Sequence, residues 1–384
     1  MRIVFIFFLL AALASSAQQI KTGAEQSDLY LPLLMGQKVG LVVNQTSMVG
    51  DQNLLDFLLA HKIDVEKIFS PEHGFRGNDE AGKEIENNHD AKTGIPIVSL
   101  YGKNRKPTQE QMKGLDMLVF DIQDVGVRFY TYISTLHYVM EACAENQKSL
   151  LVLDRPNPNG DYIAGPVLKP EFKSFVGMDP VPVVHGCTVG ELARMINDEG
   201  WLDNHEKCDL MIIPLKNYTH KTPYSLPVKP SPNLPNDRAM RLYPSLCFFE
   251  ATSVSIGRGT EFPFQVVGYP EKRFGEFHFT PKSIPGVAES PKQKGKVCYG
   301  TDLRKLKKVP HFTLSYFIDF YQQFQNEQDF LTRANWFDLL AGTDQLLKDI
   351  RAGKGAQEIE AGWKADLDRY QSIRKKYLLY PDFN

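Results

Sequence analysis

At 384 residues the chain exceeds one small core, and at about 100–200 residues per domain two domains are expected. Lys and Arg number 44 against 46 Asp and Glu, mixed along the chain, for a net charge of −2. This excludes the basic stripe of a nucleic-acid binder and the like-charge block of a disordered tail.

The N-terminus stands apart. Met1-Arg2 leads into an almost unbroken apolar run over 3–13, then Ala14-Ser15-Ser16-Ala17-Gln18. A positive start, a short apolar stretch and small residues at −3 and −1 predict a secretory signal peptide over 1–17. The run is too short to span a bilayer comfortably, and no later run approaches about 18 apolar residues. The mature chain is therefore expected in the periplasm or outside the cell, without stable membrane insertion.

Short apolar runs then alternate with helical patterns. Strands are predicted at 38–44 (KVGLVVN), 65–69, 95–100 (IPIVSL), 117–121 (MLVFD), 150–154 (LLVLD), 181–184 and 210–214. Helices are predicted at 54–60, 108–113 with Thr108 as cap, 131–145, and 188–199 with Thr188 and Glu191 as a capping box. This alternation means an α/β fold, a parallel sheet with helices on both faces. Residues 219–236 carry five prolines, exclude a helix and read as a linker or wrapping segment. They divide the chain into units at 18–218 and 219–384. The second unit reads less regularly, with strands near 277–279 and 297–299 and helices at 312–325, 336–352 and 356–377. Cys143, Cys187, Cys208, Cys247 and Cys298 are scattered and form no CxxC; they read as buried small hydrophobes, with one bridged pair left open.

In open parallel sheets ligands bind beyond the carboxyl ends of the strands. After the first strand stand Asn44 and Gln45; after the second, Glu72, His73 and Arg76 in the octet SPEHGFRG. After the fourth come Asp121, Gln123 and Asp124, then Arg128, Tyr130 and Tyr132; after the fifth, Arg155, Asn157 and Asn159; after the sixth, His185. Glu250 and Arg258 add charge in the second unit. Pro71 ends the second strand and Gly74 and Gly77 allow unusual backbone angles, so Glu72 is presented where a strand gives way to a loop.

No GxGxxG or GxxxxGK[ST] occurs, so no nucleotide cofactor is expected, and without HExxH or GxSxG neither a zinc protease nor an α/β-hydrolase is supported. No metal is expected. What remains is carboxylates among amides and aromatics. Two carboxyl groups facing across a cleft suit glycoside hydrolysis, one protonating the leaving oxygen and the other activating water or attacking directly. Glu72, Asp121 and Asp124 are the candidate catalytic groups, with Glu250 and Asp154 as further acids. Three of the site candidates have a structural alternative: Asp154 as a turn cap, Asp121 as a partner of Arg128 or backbone amides, His185 as a buried bonded histidine.

SPEHGFRG, TGIPIVSLYG (93–102), DIQDVGVRFYTYISTL (121–136), LDRPNPNG (153–160), VPVVHGCTVGELA (181–193), SPNLP (231–235), FFEATSVSIGRGTEFPF (248–264) and KKYLLYP (375–381) together resemble the exo-β-N-acetylmuramidases of the NamZ type. The resemblance covers nearly the whole mature chain. It implies a Rossmann-like N-terminal domain, a smaller α+β C-terminal domain, and release of N-acetylmuramic acid from the non-reducing end of peptidoglycan-derived saccharides or muropeptides. It matches the family's cleft glutamate to Glu72, and it places further acids, Glu84 and Glu86, in the loop after it. Muramic acid carries a lactyl carboxylate, which an Arg fork binds well; Arg76, Arg128, Arg155 and Arg258 are the candidates. A non-catalytic binder of wall sugars and a hydrolase of another bond remain as alternatives.

Overall fold

The main sheet has seven strands: β1 (Lys38–Val43), β2 (Asp64–Ser70), β3 (Asn88–His89), β4 (Pro96–Ser99), β5 (Met117–Asp121), β6 (Ser149–Leu153) and β7 (Asp209–Ile213). The structure, a computed structural model, describes residues 19–72, 74–75 and 88–383. The expected signal peptide, His73, Arg76, Glu84 and Glu86 lie outside the described residues. The strand order is β7-β6-β5-β1-β2-β4-β3, parallel throughout except for β3, which pairs antiparallel with β4 at the edge. Without β3 this is the order of a doubly wound Rossmann-like sheet, whose winding reverses between β1 and β5.

Alternating side chains feed two cores, as a strand period of two requires. Val39, Leu41 and Val43 of β1, Met117 and Val119 of β5, and Leu151 and Leu153 of β6 face one side. There they pack on the helices Ser27–Leu34 and Leu54–Ala60. Val42, Leu118, Phe120, Leu150 and Val152 face the other side, against Tyr132–Glu145, Val189–Asp198 and the C-terminal domain. The capping box at Thr188 and Glu191 forms as expected.

The smaller C-terminal domain starts with the helix Asp237–Leu246, capped by the Asn236 side chain on the Ala239 amide at 3.0 Å. It carries a three-stranded antiparallel sheet, Val266–Tyr269, Phe277–Phe279 and Cys298–Asp302. Its core is aromatic: the Phe317 ring lies 4.9 Å from Phe337 and 5.0 Å from Phe330, all three fully buried. Each such side chain contributes about 1.5–3 kcal/mol by leaving water.

Several expectations are corrected. The run at 181–184 is not a strand of the parallel sheet. Pro182–Val184 pairs antiparallel with Ala164–Val167 in a separate two-stranded sheet. Pro180 and Pro182 lack the N–H donors that an interior strand must supply. The helix expected at 336–352 is two, Ala334–Ala341 and Gln345–Arg351, because Gly342 adopts φ +71 at the first helix's C-cap. The helix expected at 356–377 breaks at Trp363 into Ala356–Gly362 and Lys364–Arg374. The helix Ser27–Leu34, which holds Pro32, gave no signal in the sequence. All five cysteines are buried and free, so no pair is bridged.

The proline-rich segment forms neither helix nor strand and crosses the carboxyl ends of the strands. Its Pro230 carbonyl accepts hydrogen bonds from Tyr130 Oη (2.8 Å), Tyr132 Oη (3.2 Å) and Gln45 Nε2 (3.1 Å). Three side chains from two strand ends thus clamp one strap over the sheet.

Candidate active site

β2 ends at Ser70, and Pro71 cannot donate to the neighbouring strand. The Gly74 amide closes a turn on the Pro71 carbonyl at 3.1 Å, which places Glu72 at the corner; Gly74 takes φ +75, a conformation that favours glycine. Glu72 Oε2 accepts a 2.8 Å hydrogen bond from Thr131 Oγ1. Thr131 occupies the N-cap of Tyr132–Glu145 but stands in a helical backbone conformation and makes no capping bond. Tyr101, just beyond β4, closes in from the other side. Burial pushes its phenol up, and the charge of Glu72 and a hydrogen bond to it push it further.

Glu72 lines a cleft of about 330 Å³ between the sheet edge and the C-terminal domain. Tyr101, Arg105, Tyr130 and Thr131 form one wall; Ser231 and Asn233 of the strap and Tyr243, Glu250, Arg258 and Trp336 complete it. Glu250 Oε1 holds Arg258 Nη2 at 2.5 Å, and that guanidinium lies over the Phe264 ring at 5.1 Å. Two carboxylates, one paired guanidinium and several aromatic faces therefore share one half-enclosed space, a composition suited to a sugar ring and its leaving oxygen.

The chain fits two successive family models. The one described as exo-β-N-acetylmuramidase NamZ, N-terminal, matches residues 39–238, and its C-terminal counterpart matches 241–380. The chain belongs to the NamZ family. A peptidoglycan β-N-acetylmuramidase NamZ of Bacillus subtilis (strain 168) is 39% identical over 373 residues, covering 91% of this chain and 89% of that protein. Two crystal structures of DUF1343 family proteins from Bacteroides fragilis NCTC 9343 share the fold. One has 49% identity and a TM-score of 0.88 over 95% of this chain and 99% of its own. The other has 28% identity and a TM-score of 0.78 over 94% and 99%. As a NamZ family member the chain is a glycoside hydrolase.

Within this NamZ fold the expected site residues divide. Glu72, Tyr130, Glu250 and Arg258 line the cleft together. Tyr132 and Gln45 border it by tethering the strap. Asn44, Gln123, Asp124, Asn157, Asn159 and His185 serve a buried network at the winding reversal. Asn44 Oδ1 accepts from the Thr46 amide at 2.9 Å and the Thr46 hydroxyl at 2.6 Å. That hydroxyl in turn accepts from the Gln123 amide at 3.0 Å. Gln123 Nε2 donates to the carbonyls of Asp124 (2.8 Å) and Pro156 (2.7 Å). Asp124 Oδ2 accepts from the Gly126 amide at 2.6 Å and lies 3.7 Å from His185 Nε2. Asn157 donates to the Cys187 carbonyl (2.8 Å), and Asn159 to those of Val125 (2.9 Å) and Met240 (3.2 Å).

Asp121 does not line the cleft. Both of its oxygens hold Arg155, at 2.6 Å to Nε and 2.9 Å to Nη2, so its partner is Arg155 and not Arg128. Burial pushes its carboxyl up against the pull of that guanidinium. Arg128 is fully buried and donates to the carbonyls of Pro166 and Val181 at 2.8 Å, Leu340 at 3.0 Å and Ala341 at 2.7 Å. Burial pulls its pKa down to about 9. It ties the two domains together and is not exposed to a substrate. Asp154 caps the helix Val189–Asp198 from below, accepting from the Gly190 amide (2.8 Å), Thr188 Oγ1 (2.7 Å) and Tyr380 Oη (2.6 Å).

Tyr101, Arg105, Thr131, Ser231 and Asn233 were not singled out from sequence. The first two follow β4, the parallel strand whose carboxyl end reads SLYGKNR. The rule that found Glu72 finds them there. Ser231 and Asn233 sit within SPNLP, a motif that carried the family resemblance without a role for its side chains.

Proposed function

We propose that this chain is an exo-acting β-N-acetylmuramidase that removes the terminal non-reducing N-acetylmuramic acid from peptidoglycan fragments, with Glu72 as general acid. The observation that carries the reading is the hydrogen bond from Thr131 to Glu72 on the wall of a cleft that also holds Glu250. The Glu72 carboxylic acid gives its proton to the bridging oxygen as the bond from that oxygen to the anomeric carbon breaks; water then bonds to the anomeric carbon and releases a proton, which restores the acid. Among the described residues, Glu250 is the other carboxylate lining the cleft, and its negative charge supports the oxocarbenium character that develops on the ring. Tyr130, Tyr243 and Trp336 offer faces to the sugar, and Ser231 and Asn233 offer hydrogen bonds. The 1–17 leader supports export to the compartment where peptidoglycan lies. The 18–218 and 219–384 units fit a cleft built from both.

A general acid matters most when the leaving group is poor. Glu72→Gln should lower turnover by about 10³-fold on a muramic acid disaccharide, and by clearly less on a nitrophenyl β-N-acetylmuraminide, whose phenolate leaves unaided. Equal losses on both substrates would remove Glu72 from the acid role. Failure of the wild-type protein to cleave either would overturn the muramidase reading.

A further inference from the structure

Two described arginines line the cleft, and their situations differ. Arg258 is spent on Glu250 at 2.5 Å. Arg105 is exposed, and its guanidinium lies over the Phe175 ring with Cζ 4.5 Å from the centroid. It has no hydrogen-bond or ion-pair partner among the described residues. A guanidinium stacked on a ring keeps its planar edge of N–H donors free, which is the geometry that takes a carboxylate in two parallel bonds.

The platform is braced. Phe175 stacks on Tyr138 at 6.3 Å with 15° between planes. Lys106, next in sequence to Arg105, is fixed by Glu141 at 3.1 Å and by Glu145. Glu141 also takes His137 Nε2 at 3.0 Å, while His137 Nδ1 meets Asp179 at 2.8 Å, on the segment that carries Phe175. The cation and the ring beneath it are therefore tied to the same buried helix positions. Arg105 also lies close enough to Tyr101, the neighbour of Glu72, for its charge to act on that phenol. A ligand carboxylate on Arg105 would sit beside the reacting centre.

N-acetylmuramic acid differs from N-acetylglucosamine by a lactyl ether ending in a carboxylate. Resting on the muramidase reading above, we propose that Arg105 is the specificity-determining residue that holds the lactyl carboxylate of the terminal muramic acid. Arg258, bonded to Glu250 Oε1 at 2.5 Å, positions the Glu250 carboxylate in the cleft.

The test compares three aryl glycosides: the β-N-acetylmuraminide, the same compound with its lactyl carboxylate converted to the primary amide, and the β-N-acetylglucosaminide. Wild-type protein should prefer the acid over the amide by about 10–100-fold in kcat/KM, the range set by a charge-assisted hydrogen-bonded pair. Arg105→Ala should lose about that factor on the acid while its rates on the amide and the glucosaminide stay within about threefold, and Arg105→Lys should recover part of the loss. The rate on the amide also reports whether the variant has folded. An unchanged acid-to-amide ratio in Arg105→Ala overturns the assignment, as does collapse of that ratio in Arg258→Ala alone. Absence of wild-type cleavage of all muraminides would instead remove the muramidase reading on which the assignment rests.

Discussion

Thr131 gives its hydroxyl to Glu72 Oε2 at 2.8 Å instead of to the backbone of the helix it begins. A threonine at that position ordinarily satisfies an orphan amide of the first turn. Here the hydroxyl orients a carboxyl group that arrives from a different strand end. Thr131→Ala should therefore cost little stability, because no capping bond is lost, while lowering kcat on muramic disaccharides about tenfold with KM within about twofold. Steady-state kinetics beside a thermal melt decide it. A large drop in Tm with unchanged kcat would return Thr131 to a purely structural role.

Asp121 and Arg155 form a two-point ion pair with both partners almost fully buried. Removing one charge strands the other in a medium that cannot solvate it, typically at a cost of about 3–5 kcal/mol. Asp121→Asn should be strongly destabilised in urea titration. The protein that remains folded should retain near-normal turnover per folded molecule, since neither residue lines the cleft. Loss of turnover by about 10³-fold in folded Asp121→Asn would make Asp121 a participant in the chemistry.

Arg128 is buried like Arg155 but bonds backbone carbonyls instead of a carboxylate. Its four carbonyl partners come from the two-stranded sheet region and from the end of Ala334–Ala341. Arg128→Met fills the space but removes a donor from each of those carbonyls; Val181 keeps the Leu168 amide at 3.2 Å, and each carbonyl left with no donor costs about 1–3 kcal/mol. The expected result is a Tm lowered by several degrees or failure to express, with unchanged preference for muramic over glucosamine substrates in any soluble fraction. A selective loss of muramic substrates would place Arg128 at the ligand after all.

The sheet was legible because its strands are short, apolar and separated by helical patterns. Residues 117–121 came out with the observed bounds, and the Thr188–Glu191 capping box was visible as a local pattern. The location of the site was legible for the same topological reason, since Glu72 lies beyond a strand end. What the sequence could not show is which polar side chains at that edge meet solvent. Gln123, Asn157 and Arg128 carry N–H donors as Arg105 does, yet these three spend them on backbone carbonyls from distant segments while Arg105 is exposed. That distinction depends on contacts such as Arg128 to Ala341, more than two hundred positions apart, which no local period encodes. The misplaced run at 181–184 has a simpler origin. Three valines interrupted by Pro182 and preceded by Pro180 satisfy the composition of a buried strand but not its need for donors.

His137 gives the last prediction, because its buried ring lies between two carboxylates. Burial alone would pull the imidazolium's pKa down, but hydrogen bonds to Asp179 and Glu141, together with their charges, push it up from 6.5 to about 9. Burial acts to raise Glu141, yet His137 and Lys106 outweigh it and hold that carboxyl down at about 2. A histidine whose folded pKa is raised contributes its full stabilisation below about pH 6.5 and loses it as pH rises through about 9. The Glu141 contribution is present above its ordinary 4.5 and fades only as pH falls toward 2. Unfolding free energy should therefore decline between pH 7 and pH 9.5, by an amount on the order of 3 kcal/mol if the whole shift is expressed. His137→Gln should be less stable at pH 6.5 and show a flatter profile over that window. Because Lys106 and Asp179 connect this ring to the segments carrying Arg105 and Phe175, KM for an aryl muraminide should rise over the same interval, with a weaker rise in His137→Gln. Wild-type and variant profiles that run parallel from pH 6.5 to 9.5 would show that the ring does not carry the proton this geometry assigns to it.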